Sequence, residues 1–504
     1  MTDVTQLQQE VVSLREQLAQ RDEYLKLLQE QLQLLLHKKF SASSEKISPD
    51  QLGLFNEAEQ TVESLSEYDD DHTITVNAHQ RKRKPRISIP DDFPREDILH
   101  DLPEEDKVCP HDGHTLEVIG SDDHEQLDII PAKIKVLRHR RLKYACPCCQ
   151  QHLVTASKPN QPIEKSIASP GLLAYVATQK YCDALPLYRQ SEMFRRIGID
   201  ISRTNLSNWM VQMGHLTQPL VDHFLWHLQQ QAVVHMDETT VQVLDEPGKA
   251  AQSKSYMWLL AHFGEHPLLL FQYSPSRSRQ TPLSLLSQQT QALMVDGYDG
   301  YQPACDQYQI HRLGCMAHAR RKFVDAQKTM PKGKTGKADQ AIAFIQKLYR
   351  IEAEIKDDPP DKRYTVRQSK AKPIIDKLKI WLEKSLLHVL PSTQLGKALG
   401  YMSNQWCELT AYLEDGRYPI DNNPAERAIR PFAIGRKNWT FAQSQAGARA
   451  SANLYSLVET AKVNNVNPYE YLREVFTRLP TMTTKDDMDE LLPWNILNAR
   501  VGLV

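Results

Sequence analysis

Ala232-Val-Val-His-Met-Asp-Glu-Thr-Thr-Val-Gln-Val-Leu244 marks a change of pattern in this chain. The segment just before it reads as helices. Here the apolar residues are β-branched and nearly consecutive, which predicts a strand. Tyr256-Met-Trp-Leu-Leu-Ala-His-Phe263 and Pro267-Leu-Leu-Leu-Phe-Gln-Tyr273 follow, separated by Gly264, and extend it to an antiparallel meander of three strands. A helix is expected from about 281 to 289, after Ser276-Arg-Ser-Arg279. Ala292-Leu-Met-Val-Asp-Gly-Tyr298 then reads as a short apolar strand ending in Asp296.

Three antiparallel strands, a helix and a further strand are the opening of a ribonuclease-H-like fold. In that order Asp237 lies on the first strand and Asp296 at the end of the fourth. Adjacent parallel strands bring the two acids to one end of the sheet. Two aspartates so placed carry too much negative charge to persist without a cation. Magnesium prefers carboxylate oxygens alongside substrate phosphates, and manganese is the alternative. Two such ions about 4 Å apart can stabilise both the attacking and the leaving oxygen of an in-line displacement. Glu238 points to the opposite face of a regular strand. Asp299 lies past the Gly297-Tyr298 turn and reads as a loop residue. The bland reading is that acids at strand ends only cap loops.

A third carboxylate comes from Tyr418-Pro-Ile-Asp-Asn-Asn-Pro-Ala-Glu-Arg-Ala-Ile-Arg430, where Glu426 stands at the start of an expected helix. Asn422, Asn423, Arg427 and Arg430 are read as helix-start and DNA-backbone groups. Between the second and third acids lie helix-prone stretches at 338–355, 366–387 and 395–413, an all-helical insertion of about 325–415. The catalytic unit is therefore expected over 230–440, followed by a C-terminal helical region over 441–504.

The flanking segments suggest other tasks. Leu7, Val11, Leu14, Leu18, Leu25, Leu28, Leu32 and Leu35 alternate steps of three and four, with Arg21 as the interruption. That pattern, held for about four heptads, predicts a coiled coil over 1–38 and a homo-oligomer, at least a dimer. The alternative is one amphipathic helix packed on its own chain. Residues 39–105 read as a flexible linker. It contains Arg81, Lys82, Arg83, Lys84 and Arg86, five positive charges in six residues, suited to salt-sensitive phosphate contact or simply a solvated charge run. Residues 106–160 read as a zinc-ribbon-like unit. Cys146 and Cys149 form a C-x-x-C pair, and Cys109 faces them with Asp112 where a second cysteine would normally stand; His111 and His114 are nearby. A ribbon that has lost its metal is the alternative. Residues 165–220 read as three helices, the last pair resembling a helix-turn-helix. Ser202, Arg203, Thr204, Asn205 and Asn208 would lie on its recognition helix; an ordinary bundle also contains helix–Gly–helix turns.

At 504 residues, with 25% charged and 41% apolar side chains, the chain is expected to fold as several units of a multidomain α+β protein. A net charge of −2 excludes a uniformly basic DNA coat, so DNA contact falls to local patches. Neither a run of eighteen apolar residues nor a signal-peptide pattern is present, so the expected location is cytoplasmic and nucleoid-associated, with no membrane partner.

Together, His235-Met-Asp-Glu-Thr239, Asp296-Gly-Tyr298, Gly314-Cys-Met-Ala-His-Ala-Arg-Arg-Lys-Phe323 and Asp421-Asn-Asn-Pro-Ala-Glu-Arg-Ala-Ile-Arg-Pro431, extended by Gly435-Arg-Lys-Asn-Trp439, carry a family resemblance. The chain resembles a DDE transposase of the insertion-sequence-66 family over nearly its whole length. The resemblance implies Asp237, Asp296 and Glu426 as the catalytic triad, with leucine-rich, zinc-binding and helical DNA-binding units before them. It also implies binding of double-stranded DNA at terminal inverted repeats, 3′-end cleavage and strand transfer, and small element-encoded accessory proteins. The chain departs from the family's usual four-cysteine ribbon at Asp112. Cys315-Met-Ala-His318 is read as structural or DNA-related rather than as a metal site, and Arg320, Arg321 and Lys322 as phosphate contacts, joined by Arg436 and Lys437. A ribonuclease-H-fold nuclease without strand transfer and a non-catalytic DNA-binding protein are the alternatives.

Overall fold

The computed structural model describes residues 153–329 and 336–496 continuously, the segment 134–145, and isolated positions between Leu14 and Leu127. Cys109, Asp112, Cys146, Cys149 and the basic run from Arg81 to Arg86 lie outside the described residues. Leu14, Leu18, Leu25, Leu28 and Leu32 are helical and expose between 42% and 59% of their surface, so the leucine stripe is uncovered in the single chain.

Residues 70–158 form a small compact unit of their own. In it β1 (Lys143–Ala145) pairs antiparallel with β2 (Leu153–Thr155), and Arg141 Nε donates to the Ala156 carbonyl at 2.6 Å.

From Pro159 onward the large unit opens with four helices: α1 (Pro170–Tyr181), α2 (Leu187–Arg196), α3 (Arg203–Leu216) and α4 (Gln218–Gln229). Gly198 turns the chain between α2 and α3 at φ +90°, a region that favours glycine. Ser202 caps α3 by accepting from Asn205 N.

The sheet follows as β3 (Val233–Asp245), β4 (Lys254–His262), β5 (Leu268–Ser274), α5 (Gln280–Leu285), β6 (Ala292–Val295), α6 (Gln302–Tyr308) and β7 (His311–Gly314). Its strand order is β5-β4-β3-β6-β7. The first three strands are antiparallel, and β3, β6 and β7 are parallel. The meander runs as expected. The helix after it is shorter than the expected 281–289, because Leu286 is already extended. β7 is four residues of His-Arg-Leu-Gly, too short and polar to signal a strand by pattern.

Alternation along the strands sorts two cores. Leu293 and Val295 of β6 join one core, while Ala292 and Met294 join the other. The second core is closed by α7 (Met316–Gln327), α8 (Lys337–Glu354), α9 (Pro360–Val366), a π-helical segment Arg367–Ala371, α10 (Lys372–Leu386), α11 (Gln394–Asn404) and α12 (Trp406–Thr410). These are the helices expected between the second and third acids. Arg367 is wholly buried there; it donates to both oxygens of Glu352 and to the Tyr412 and Asp415 carbonyls.

The chain ends with α13 (Asn423–Trp439), β8 (Ala442–Ser444), α14 (Gln445–Val463), α15 (Pro468–Arg478) and α16 (Lys485–Glu490). β8 pairs parallel with the far half of β3. α14 covers the edge strand β5: Leu269 N donates to Thr460 Oγ1 at 3.1 Å and Phe271 N to Ser456 Oγ at 2.8 Å, so hydroxyls answer backbone donors that the sheet leaves open. The helical unit expected at 165–220 and the C-terminal region expected at 441–504 do not stand apart from the sheet. Leu206, Met213, Phe271, Leu457 and Phe476 belong to one continuous core.

α3 crosses α14 at Gly214, where an added Cβ would overlap Cα and Cβ of Ala450. Gly400 in α11 has open space around the same position. Gly214→Ala is expected to destabilise the protein by about 1–3 kcal/mol through overpacking. Gly400→Ala, the same change in another helix, should stabilise it by about 0.5–1 kcal/mol through propensity. Urea-unfolding midpoints moving in opposite directions are the readout, and a shift of the same sign in both would contradict this packing.

Candidate active site

The parallel pairing of β3 and β6 is registered at Val233↔Ala292, Val234↔Leu293 and His235↔Met294. Carrying that register two residues onward sets Asp237 opposite Asp296, one residue past the end of β6. Both acids continue the alternation series of Val233 and of Met294, so they share the face toward the second core. Glu238 N donates to Asp237 Oδ1, and Tyr298 N to Asp296 Oδ1, each at 2.9 Å. Gly297 lets the chain pass close beneath Tyr401, whose ring carbon would lie 2.8 Å from an added Cβ. Arg312 Nη2 donates to the Asp296 and Tyr298 carbonyls and fixes the loop.

Glu426 reaches the same place from α13. Asn422, just before that helix, is 1% exposed and latches it to the sheet. Its amide donates to the Met236 carbonyl at 2.8 Å and its carbonyl oxygen faces His235 Nδ1 at 2.9 Å, while its backbone N–H meets Cys315 Sγ at 3.2 Å. Burial pushes the His235 imidazole down to about 4, opposed by the Asn422 contact. Asp421 accepts from the amides of Asn423 and from Tyr349 Oη. Glu426 thus sits 3% exposed in the first turn of α13.

The neighbouring carboxylates act on Asp237. Burial raises the Asp237 carboxyl well above the usual range, and the charges of Glu238, Glu426 and Asp296 raise it further. Glu426 Oε2 accepts from Arg321 Nη2 at 3.0 Å, and its Oε1 lies 3.3 Å from His318 Nδ1. Glu426 Oε1 and His318 Nδ1 are nonetheless buried without a hydrogen-bond partner. Burial pushes the His318 imidazole down, opposed by Glu426. A buried carboxylate oxygen without a donor, beside two further carboxylates, fits an oxygen-preferring divalent cation. Cys315 Sγ, a His318 ring nitrogen and a Glu426 oxygen also lie within 4.8 Å of one another.

Several expected residues fall elsewhere. Glu238 turns to the other face, where Arg277 and Tyr301 both donate to it. Arg320, expected to touch phosphate, is 5% exposed and lies within the second core's helices, where burial removes it from a DNA surface. Arg321 pairs with Glu426 and keeps 24% of its side chain exposed. Asn422 and Asn423, read as DNA-backbone groups, are buried in the latch. Arg436 is half-buried and donates to Thr240 Oγ1 at 2.8 Å, tying α13 to β3. Lys322 is exposed beneath the Tyr401 ring at 4.6 Å; Arg427, Lys437, Arg203, Asn205 and Asn208 are exposed, and Arg430 is half-exposed. His318 is the site residue that sequence reasoning set aside. Its signal was the Cys315-x-x-His318 spacing at a helix start, which places both side chains on the turn facing α13.

Asn422→Ala would leave the Met236 carbonyl and His235 without their buried partner. The expected cost is about 2–3 kcal/mol, read as a lowered urea midpoint with unchanged denaturant slope; an unchanged midpoint would remove Asn422 from this role.

Comparison with known proteins identifies the family. Residues 165–450 match the family described as Transposase IS66 family, and residues 456–494 match the IS66 C-terminal element. Residues 106–150 match the zinc-finger binding domain of transposase IS66, and residues 27–98 match Transposase C of IS166 homeodomain. The chain is 33% identical over 399 residues to the uncharacterized protein y4qI of Sinorhizobium fredii, covering 76% of this chain and 73% of that protein. It is 30% identical over 517 residues to y4jD of the same organism, also uncharacterized, covering 99% and 98%. This chain belongs to the IS66 family of DDE transposases, enzymes that carry out phosphoryl transfer on DNA.

Proposed function

We propose that this transposase binds the terminal inverted repeats of its element, cleaves their 3′ ends with water, and joins the freed 3′ hydroxyls to target DNA. The observation that carries the reading is one place where the charges of Glu426 and Asp296 act on Asp237 while the buried Glu426 Oε1 lacks a donor. The strand order, with three antiparallel strands followed by two parallel ones, supports a ribonuclease-H-like core.

In this reading Asp237, Asp296 and Glu426 hold Mg2+ or Mn2+. Such ions activate the attacking oxygen and stabilise the leaving one. Asp237 and Asp296 offer oxygens from adjacent strands, and Glu426 closes the site from the helix. Arg321 and His318 are positioning residues that hold Glu426 in its rotamer. No protein nucleophile is required, because water and the DNA hydroxyl attack directly.

Around this centre, Arg203, Asn205 and Asn208 at the exposed start of α3 are proposed to meet DNA as a helix-turn-helix. Lys322, Arg427, Arg430 and Lys437 are proposed backbone contacts near the catalytic centre. The segment from Arg81 to Arg86 adds sequence-independent attraction. Cys109, Asp112, Cys146 and Cys149 are the proposed zinc ligands of the finger. The exposed leucine stripe supports self-association through a coiled coil, and small accessory proteins of the element are proposed partners. Among the described residues no helix is long and apolar enough to cross a membrane.

Glu426→Gln, Asp237→Asn and Asp296→Asn are each expected to keep end binding and to lower 3′-end cleavage by more than about 100-fold, the scale of losing transition-state charge stabilisation. Cleavage at the normal rate by any of them would sink the triad. Supplying pre-cleaved ends separates the readings: joined product supports a transposase, and its absence favours a nuclease without strand transfer.

Arg203→Ala should weaken end binding and reduce the slope of log affinity against log salt by about one. A gel-shift series at several salt concentrations checks this; an unchanged slope would remove Arg203 from the phosphate contacts.

A further inference from the structure

A second cluster, sharing no residue with the carboxylate site, has the makings of a metal centre. His223 and His227 stand one turn apart on α4, so their rings leave the same face of the helix. Asp489 meets them from α16, 266 and 262 residues away in sequence. His223 Nε2 lies 2.8 Å from Asp489 Oδ1, His227 Nε2 lies 3.0 Å from that oxygen, and the two ring nitrogens lie 3.1 Å apart. The His223 side chain is 5% exposed, that of His227 26% and that of Asp489 46%, so one side of the triangle opens to water.

Proton counting shows why hydrogen bonds alone do not account for this triangle. Three close contacts join three atoms. The carboxylate oxygen brings no proton, and each Nε2 brings at most one. At most two contacts are therefore hydrogen bonds, and the third sets two polar atoms together with nothing between them. A cation at the centre satisfies all three lone pairs at once. A tetrahedral zinc with bonds of about 2.0–2.1 Å has ligand–ligand edges of roughly 3.3 Å. The observed edges need to lengthen by only a few tenths of an ångström.

We infer that His223, His227 and Asp489 form a binding site for a zinc-class transition-metal ion, with water in the fourth position. The donor set selects the ion: two imidazoles and one carboxylate suit zinc and its first-row neighbours, whereas magnesium takes oxygens. The site has a wall to hold it. The Trp226 ring lies parallel to His223 at 5.7 Å, and Trp494 meets His227 edge-on at 6.4 Å. These groups come from two stretches: α4 lies in the part matched by the IS66 transposase core, and Asp489 and Trp494 in the part matched by the C-terminal element. The ion is a clamp that fastens the C-terminal element to the helix leading into β3. Because it binds only the folded arrangement, it stabilises that arrangement with the logarithm of its free concentration once that exceeds the dissociation constant.

The test uses the full chain, stripped with a chelator under reducing conditions, reloaded with Zn2+ and desalted. Metal is counted by plasma mass spectrometry. His227→Gln and Asp489→Asn are each expected to hold one zinc equivalent fewer than the unaltered chain. Their affinity at this site should fall by more than about 100-fold, beyond the 10–100-fold that changes around a metal's ligands cost. Asp489→Asn preserves shape on a half-exposed side chain, so folding is retained and circular dichroism verifies it. Co2+ separates this site from the finger: His227→Gln should erase visible bands of nitrogen and oxygen ligation and keep thiolate charge-transfer bands, and Cys146→Ser should do the reverse. Unchanged zinc counts and cobalt spectra in both the His227 and Asp489 variants would overturn the inference.

Discussion

The parallel pairing of β3 with β6 is the constraint on which the rest depends. A parallel ladder needs a crossover, and the chain supplies it through β4, β5 and α5. Once His235 is level with Met294, Asp237 and Asp296 are level too, on one face of the sheet. A slip of one residue would send Asp237 to the opposite face and bring Glu238 in its place. The apolar alternation prevents the slip, because it would expose Val234 and Met236, both wholly buried, to the wrong core.

Charge then shapes what is built around that register. Clustered carboxylates repel one another, and the fold tolerates them because polar groups hold each in place. Backbone amides donate to Asp237 and Asp296, and Arg321 and His318 stand beside Glu426. Glu238, on the other face, is matched separately by Arg277 and Tyr301. The Asn422 latch joins β3, the α13 start and Cys315 through one side chain and its own amide. A helix more than a hundred residues further along the chain is thereby held against the first strand.

The meander and the strand ending before Asp296 were legible, because β-branched runs and turn residues are local signals. Most of the helices between the acids were legible too, within a few residues. The strand β7 was not: four residues of mixed polarity have no period, and only the ladder with β6 makes them a strand. The fates of the arginines were also hidden. Arg320, Arg321 and Arg436 look alike as basic residues near a motif. Burial in a helical core, a carboxylate partner and a threonine pair separate them from the exposed Lys322 and Arg427.

The sequence by itself determined the family, the three acids worth testing and the order of units along the chain, since motifs and periodicity are written in local order. The tertiary structure decided which face each acid occupies, that His318 and Arg321 attend Glu426, and that α1–α4 and α14–α16 share the sheet's core. It also decided that His223, His227 and Asp489 meet. These are matters of three-dimensional proximity between segments tens to hundreds of residues apart, and proximity comes from packing and strand register, which no short stretch of sequence contains.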